Sequence, residues 1–296
     1  MDVELFIKQI INSLNTGSIY ALVAIGYTMV YGIIRLINFA HGEIMMFGAY
    51  FAFIIATSIP VGLPFFVIVL VSMALAALMG ILTEKIAYKK LRTAPRISAL
   101  ITAIGMSLFL QNLAQLIFGA NPKVMPQVIS NEPIMFGNIA VPQVMMYTIS
   151  MSIGIMILLT LFVKKTRAGK AMRAVSQDKE AAMLMGININ GIISLTFAIG
   201  SALGALGGIF YSIAYSQVYP TLGVMTGLKA FIAAVFGGIG NIGGAMIGGY
   251  AIGFIETMTK GYISSRWSDA IVFGVLILIL LFKPSGILGK NVKEKV

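Results

Sequence analysis

Long apolar runs separated by short basic loops limit what this chain can fold into more than any other feature. Runs of roughly 20 mainly apolar residues, the length a helix needs to cross a bilayer, fall at 10–34, 38–58, 62–83, 97–118, 142–163, 191–213 and 269–282, with an unusual Gly-rich stretch at 226–259. None shows the short alternation of a barrel strand, so all read as helices that are apolar all round. The chain is 58% hydrophobic and 10% charged, against roughly 45–50% and 25% in an ordinary soluble domain. The predicted fold is all-α: a polytopic transmembrane helical bundle of about seven full spans plus a Gly-rich re-entrant pair, forming a single domain over 1–296.

A formal net charge of +11 would suggest nucleic-acid binding in a soluble chain. Here the basic residues lie between the apolar runs, which is how topology signals look, and the expectation is membrane lipid around the bundle and no nucleic acid. Lys85, Lys89, Lys90, Arg92 and Arg96 fill one short loop, and Lys164, Lys165, Arg167, Lys170, Arg173 and Lys179 fill another. Both loops are predicted to be cytoplasmic, as is the tail with Lys283, Lys290, Lys293 and Lys295. The opening residues MDVELFIKQ lack a basic n-region and a small-residue cleavage site, so no removable signal peptide is expected.

Parity then bears on the Gly-rich stretch. Segment 191–213 leaves the cytoplasm and 269–282 returns to it, so 226–259 must enter and leave on the outer side. It is too short for two full spans and too long for one. That fits a re-entrant pair of half-helices broken at Gly237, Gly238, Gly240, Asn241, Gly243 and Gly244. The same count puts the N-terminus outside. A faint internal repeat supports the comparison of two broken segments: Ala21 to Gly26 leads toward Gly42 and Gly48, as Ala230 to Gly237 leads toward Gly243 and Gly248.

Several motifs have plain structural readings. Gly238-Ile239-Gly240-Asn241-Ile242-Gly243 satisfies the dinucleotide fingerprint, but no strand, βαβ unit or later acid accompanies it. Gly200, Gly204 and Gly208, like Gly240, Gly244 and Gly248, recur every fourth residue, as expected for close helix packing, with the lining of a substrate path as the other reading. Asn38, His41 and Glu43 lie at a helix start. Asn38 as a cap with Glu43 in the first turn is one reading, and a gate or subunit contact is the other. Glu256 and Lys260 read as an exposed i, i+4 pair near the outer surface, and Lys229 as a snorkelling lysine.

The most informative polar segment is the loop at 164–190. Asp178 can cap a short helix with Glu180 in its first turn, and Gly186 can end it. Ala181, Ala182, Leu184 and Met185 would give it a small apolar face, so that it reads equally as a docking knob or as a plain surface helix. The chain has no cysteine and one histidine, which removes thiolate chemistry and multi-histidine metal centres. It also has no G-x-x-x-x-G-K-[ST], so ATP, if used, is bound elsewhere.

Glu180-Ala181-Ala182-x-x-x-Gly186 resembles the EAA loop of bacterial ABC importer permeases. GSIYALVAIGYTMVYGIIRLINFAHGEIMMFGAY (17–50), LITAIGMSLFLQN (100–112), LKAFIAAVFGGIGNIGGAMIGG (228–249) and KPSGILG (283–289) resemble the permeases of the high-affinity branched-chain amino-acid importer, the shorter of its two most closely. The resemblance implies a multi-pass protein of a bacterial or archaeal plasma membrane. Its implied partners are a second related permease, two cytoplasmic ATPase subunits and an extracytoplasmic substrate-binding protein. It implies alternating access, no cofactor in this chain, ATP bound by partner subunits, no catalytic or metal residues, and Glu180, Ala181, Ala182 and Gly186 as the ATPase-coupling residues. It carries over no substrate contact. A urea or short-chain amide permease is the nearest alternative, and a stand-alone channel or ion-coupled carrier a further one. An enzyme is not expected, because no Ser/His/Asp set or carboxylate pair lies in the spans.

Overall fold

A computed structural model describes residues 3–59, 63–92, 94–130, 132–137 and 139–289. Lys290, Lys293 and Lys295 of the expected basic tail lie outside them. The described residues form eleven α-helices: α1 (Val3–Ile34), α2 (His41–Ser58), α3 (Phe65–Thr83), α4 (Arg96–Phe118), α5 (Gln143–Lys165), α6 (Arg167–Gln177), α7 (Lys179–Leu184), α8 (Ile189–Ala214), α9 (Leu222–Gly237), α10 (Ile242–Tyr262) and α11 (Ser265–Phe282). Six of the helical stretches are long and apolar enough to cross a membrane, those of α1, α3, α4, α5, α8 and α11. The seventh expected span, 38–58, corresponds to α2, which is not among the six, and α9 and α10 flank the break at Gly238–Asn241.

The centre of the bundle is α1, whose residues from Gly17 to Val30 are buried without interruption. It packs on α10, α8, α9 and α5. Lipid tails are as apolar as leucine, so helices in a bilayer associate through close packing of small residues. A Cβ added at Gly253 would lie 2.4 Å from the Cα of Gly17, and one at Gly249 2.4 Å from the Cα of Ala21. The α1–α10 contact therefore depends on glycine on the α10 side. Toward the rim, α3, α4, α5 and α11 leave large apolar side chains such as Leu70, Ile101, Leu158 and Leu281 exposed, as lipid-facing helices do.

Two ends can be distinguished. At one, a short antiparallel pairing of β1 (Lys123–Val124) with β4 (Gln217–Val218) ties the α4–α5 connection to the α8–α9 connection. Beside it β2 (Pro133–Phe136) and β3 (Ile139–Pro142) form a hairpin. The all-α reading did not include these short strands, which lie in the α4–α5 and α8–α9 connections. At the other end lie α6, α7, the end of α1 and the α9–α10 turn. The basic loop 85–96 is partly helical: α3 continues through a π turn, Glu84–Tyr88, and a 3-10 turn, Lys89–Leu91.

The Gly-rich region is a pair of helices broken at Gly238–Asn241, and it begins and ends at the β-strand end of the bundle. Its arms are longer than a reading over 226–259 suggests: 16 residues in α9 and 21 in α10, or about 24 and 32 Å at 1.5 Å per residue. The arms touch because Gly237 faces Gly244 and Gly248 faces Ala233, where a Cβ on either Gly237 or Gly248 would lie 1.9 Å from a carbonyl oxygen. The α1–α2 pair shares the helix–break–helix order, yet it is not a hairpin; α1 packs chiefly on α10 and α8, and α2 on α8, α3 and α9.

Candidate functional site

The loop at 164–190 folds into two short helices. Thr166 caps α6 through its Oγ1, which accepts from the Gly169 N–H at 3.0 Å. Asp178 caps α7, its Oδ1 accepting from the Glu180 and Ala181 N–H groups at 2.9 and 3.0 Å. The far end closes on Gly186 at φ 80°, with the Gly186 N–H donating to Met183 O and the Ile187 N–H to Ala182 O. That is the paired-bond helix stop that favours glycine. No neighbour lies near a Cβ added at Gly186, so backbone conformation alone selects it.

Of the expected coupling residues, Glu180, Ala181 and Gly186 are exposed while Ala182 turns inward and is buried. Met183, Leu184 and Met185 stand out at 60%, 85% and 82% exposure, an unpartnered apolar tip beside Glu180. Lys179 at the base of α7 lies near Arg92 and Arg35. Burial, and then those two cations, push its ammonium pKa below the ordinary lysine value, so the root of the helix carries concentrated positive charge.

The second group of expected residues lies deep inside the bundle. Following Ile34, Arg35 takes φ 55° and the chain turns back into the interior before α2 starts. Asn38, His41 and Glu43 are all buried, at 2%, 0% and 1% exposure. Asn38 does not cap α2 as proposed from the sequence. The cap residue is Ala40, with no side-chain cap bond, and the Asn38 Oδ1 instead accepts from the Tyr88 hydroxyl at 2.8 Å. Glu43 does sit in the first turn, where the helix dipole favours it, and it accepts from Ser107 of α4 at 3.3 Å. His41 packs edge-on against Tyr27, ring centroids 4.6 Å apart. Gly26 of α1 and Gly204 of α8 leave the space that its ring occupies, while Gly208 lies against the Met45 backbone.

The third group holds the α9–α10 turn. Gly238 and Gly240 adopt φ 107° and 94°. Asn241 caps α10, accepting from the Gly244 N–H at 3.2 Å, and its Nδ2 donates to Leu288 O at 2.9 Å. The Ile287 and Leu288 N–H groups donate to Phe236 O and Gly237 O, each at 2.9 Å. Thus the motif at 283–289 and the Gly-rich turn form one structural unit. The two breaks are separate places: Gly32 near the end of α1 approaches Gly240, but His41 lies away from the turn, among α1, α8 and α9.

Sequence reasoning missed a buried charge network. Glu256 is not exposed and Lys229 does not snorkel. Glu256 Oε1 accepts from Lys229 at 2.7 Å and from Lys260 at 2.6 Å, its Oε2 accepts from the Tyr20 hydroxyl at 2.6 Å, and Lys229 also reaches Asp269 at 2.7 Å. Only the Glu256–Lys260 spacing was visible in the sequence. A smaller cluster joins the π turn to α8: Glu84 pairs with Arg92 and accepts from Ser194 at 2.8 Å, and Arg92 donates to Asn190 at 2.6 Å.

Comparison with known proteins gives one consistent family. The high-affinity branched-chain amino acid transport system permease protein BraD of Pseudomonas aeruginosa is 41% identical, with 98% of each chain covered. The similarly named LivH of Escherichia coli K12 has the same identity and coverage. The ribose import permease protein RbsC of E. coli is more distant, 27% identical over 92% of this chain and 84% of its own. Residues 9–281 match the family described as branched-chain amino acid transport system / permease component, and the chain belongs to that family.

Proposed function

We propose that this chain is a membrane-spanning permease subunit of an ATP-driven ABC importer for branched-chain amino acids, working by alternating access. The observation that carries the reading is the near-full-length 41% identity to BraD and LivH, both named as branched-chain amino acid permeases. Identity falls to 27% for the ribose permease. The end bearing α6 and α7 faces the cytoplasm, because Lys85, Lys89, Lys90, Lys164, Lys165, Arg167, Lys170 and Arg173 cluster in its loops. The β-strand end and the N-terminus then face outward.

In this reading α7 docks on an ATPase subunit, with Glu180, Ala181, Met183, Leu184 and Met185 forming the contact. The helix is rigidly stopped at both ends, and Asn188 immediately begins α8, its Oδ1 accepting from the Gly191 N–H at 3.1 Å. A displacement of α7 therefore passes into α8, along which the His41 start of α2 is packed. The other subunits are a second permease, two ATPases that bind the ATP and an extracytoplasmic binding protein; this chain holds no cofactor of its own.

The test is labelled-leucine uptake in cells lacking their own branched-chain permeases and expressing this chain with its partner subunits. ATP-dependent leucine uptake that Glu180→Lys abolishes while the chain stays in the membrane is the expected result. Uptake of urea in place of leucine overturns the substrate, and uptake without the ATPases overturns the importer class.

A further inference from the structure

At the α6–α7 end the bundle does not close between α4 and α5. α4 packs mainly on α2 and on the π turn. Its Ile97 and Leu100 line one side of a cleft that Thr160 and Lys164 of α5 also line, with a volume of about 1670 Å³. This is larger than the ~300–1,000 Å³ of ordinary small-molecule pockets. Arg35 just past α1, Lys164 in the last turn of α5 and Arg173 on α6 all line it. Among the described residues no carboxylate lines the cleft and none of these three cations has an acidic partner. Arg173 is oriented by donating to Lys164 O at 3.2 Å, and Arg35 is set by its left-handed φ and by its N–H donating to Tyr31 O at 2.8 Å.

We propose that this cleft binds an anionic phospholipid, its phosphate among Arg35, Lys164 and Arg173 and an acyl chain along Ile97 and Leu100. Cations without acidic partners, from three separate segments and lining one cleft with apolar side chains, match an amphiphile with a negative head, and basic clefts between membrane helices hold such head groups. A soluble anion would have no use for the apolar wall, and an acidic protein segment would have to desolvate against it. The assignment goes beyond the importer reading and does not depend on the transported substrate.

Native mass spectrometry of the purified full chain, titrated with dioleoylphosphatidylglycerol and separately with dioleoylphosphatidylcholine, tests this. The triple variant Arg35→Gln/Lys164→Gln/Arg173→Gln is expected to bind the anionic lipid on the order of a hundredfold more weakly, each cation near a lipid surface contributing roughly fivefold and the three factors multiplying. Lys85→Gln/Lys89→Gln/Lys90→Gln should leave that binding unchanged. Leu100→Trp, which keeps all three cations and fills the wall, should weaken it too. Equal binding of phosphatidylcholine, wild-type affinity in the first triple variant or in Leu100→Trp, equal loss in the control triple, or full displacement of the lipid by millimolar inorganic phosphate overturns the proposal. In the assembled complex the chain's lack of cysteine allows Leu100→Cys and Thr160→Cys to be cross-linked singly. Capture of a maleimide-bearing phosphatidylglycerol is expected, and capture of another subunit overturns it.

Discussion

Lys229 of α9 donates to Glu256 of α10 at 2.7 Å, and the two residues are only 7% and 1% exposed. The pair lies between the arms of the Gly-rich hairpin. Tyr20 brings α1 into it and Asp269 brings α11. A buried ion pair gains little over an apolar pair of the same shape, but removing one partner leaves the other uncompensated. Its value here is to fix α9, α10, α11 and α1 in one register toward the β-strand end.

Glu256→Ala should therefore be the most damaging single change in the network. It takes a partner from Lys229, from Lys260 and from the buried Tyr20 hydroxyl, and a loss of about 3 kcal/mol is expected. Lys260 is 42% exposed on its side chain, so Lys260→Ala should cost no more than about 1 kcal/mol. Thermal unfolding of the two variants in the same detergent checks the ranking, and equal losses would contradict it.

The apolar tip of α7 makes a second prediction. Leu184 is 85% exposed, so Leu184→Asp should leave folding unchanged. If its partner surface is an ATPase groove, the buried carboxylate should reduce ATP-driven uptake on the order of tenfold or more. Asp178→Ala should act differently: losing the cap bonds to Glu180 and Ala181 costs about 1 kcal/mol of local stability and should lower uptake partially. Uptake and ATPase pull-down measured together separate a lost contact from a frayed helix.

Glycine positions give a third prediction, with internal controls. A Cβ at Gly237 would stand 1.9 Å from the Gly244 carbonyl oxygen, whereas one at the helical Gly105, Gly154 or Gly274 meets nothing within 4 Å. Gly237→Ala should force the hairpin arms apart and lower both membrane yield and melting temperature. Alanine at any of the three control sites should be neutral or stabilising by up to about 1 kcal/mol. The comparison is a melting series over all four variants.

Helix identities, the capped α7 and the position of the Gly-rich break were legible in the sequence because each depends on local chemistry. Apolar length marks a span, Asp178 and Gly186 mark two ends, and paired glycines mark a break. What remained hidden depends on distant residues. Asn38 is bonded to Tyr88, fifty positions away, so its local appearance as a cap was misleading. Lys229 and Glu256 looked like surface charges because each lies near a segment end, and only the packing of α1 and α11 over them makes them interior. The unclosed gap beside α4 has no sequence signature, since it results from which helices α4 does not touch.

Asn241 allows two roles of one side chain to be separated. Its Oδ1 caps α10 through Gly244, and its Nδ2 holds the segment at 283–289 through Leu288 O. Asn241→Asp keeps an acceptor for the cap, and adds a negative charge that the helix N-terminus favours, but it has no donor for Leu288. Asn241→Ala loses both. Hydrogen exchange should therefore show faster exchange at Ile287 and Leu288 in both variants, because their bonds to Phe236 and Gly237 lose the neighbouring clamp. Faster exchange at Gly244, with a stability loss of about 1 kcal/mol, should be confined to Asn241→Ala. Loss of protection at Gly244 in Asn241→Asp would mean that the turn and the 283–289 segment open as one unit, and not as a cap and a clamp that act separately.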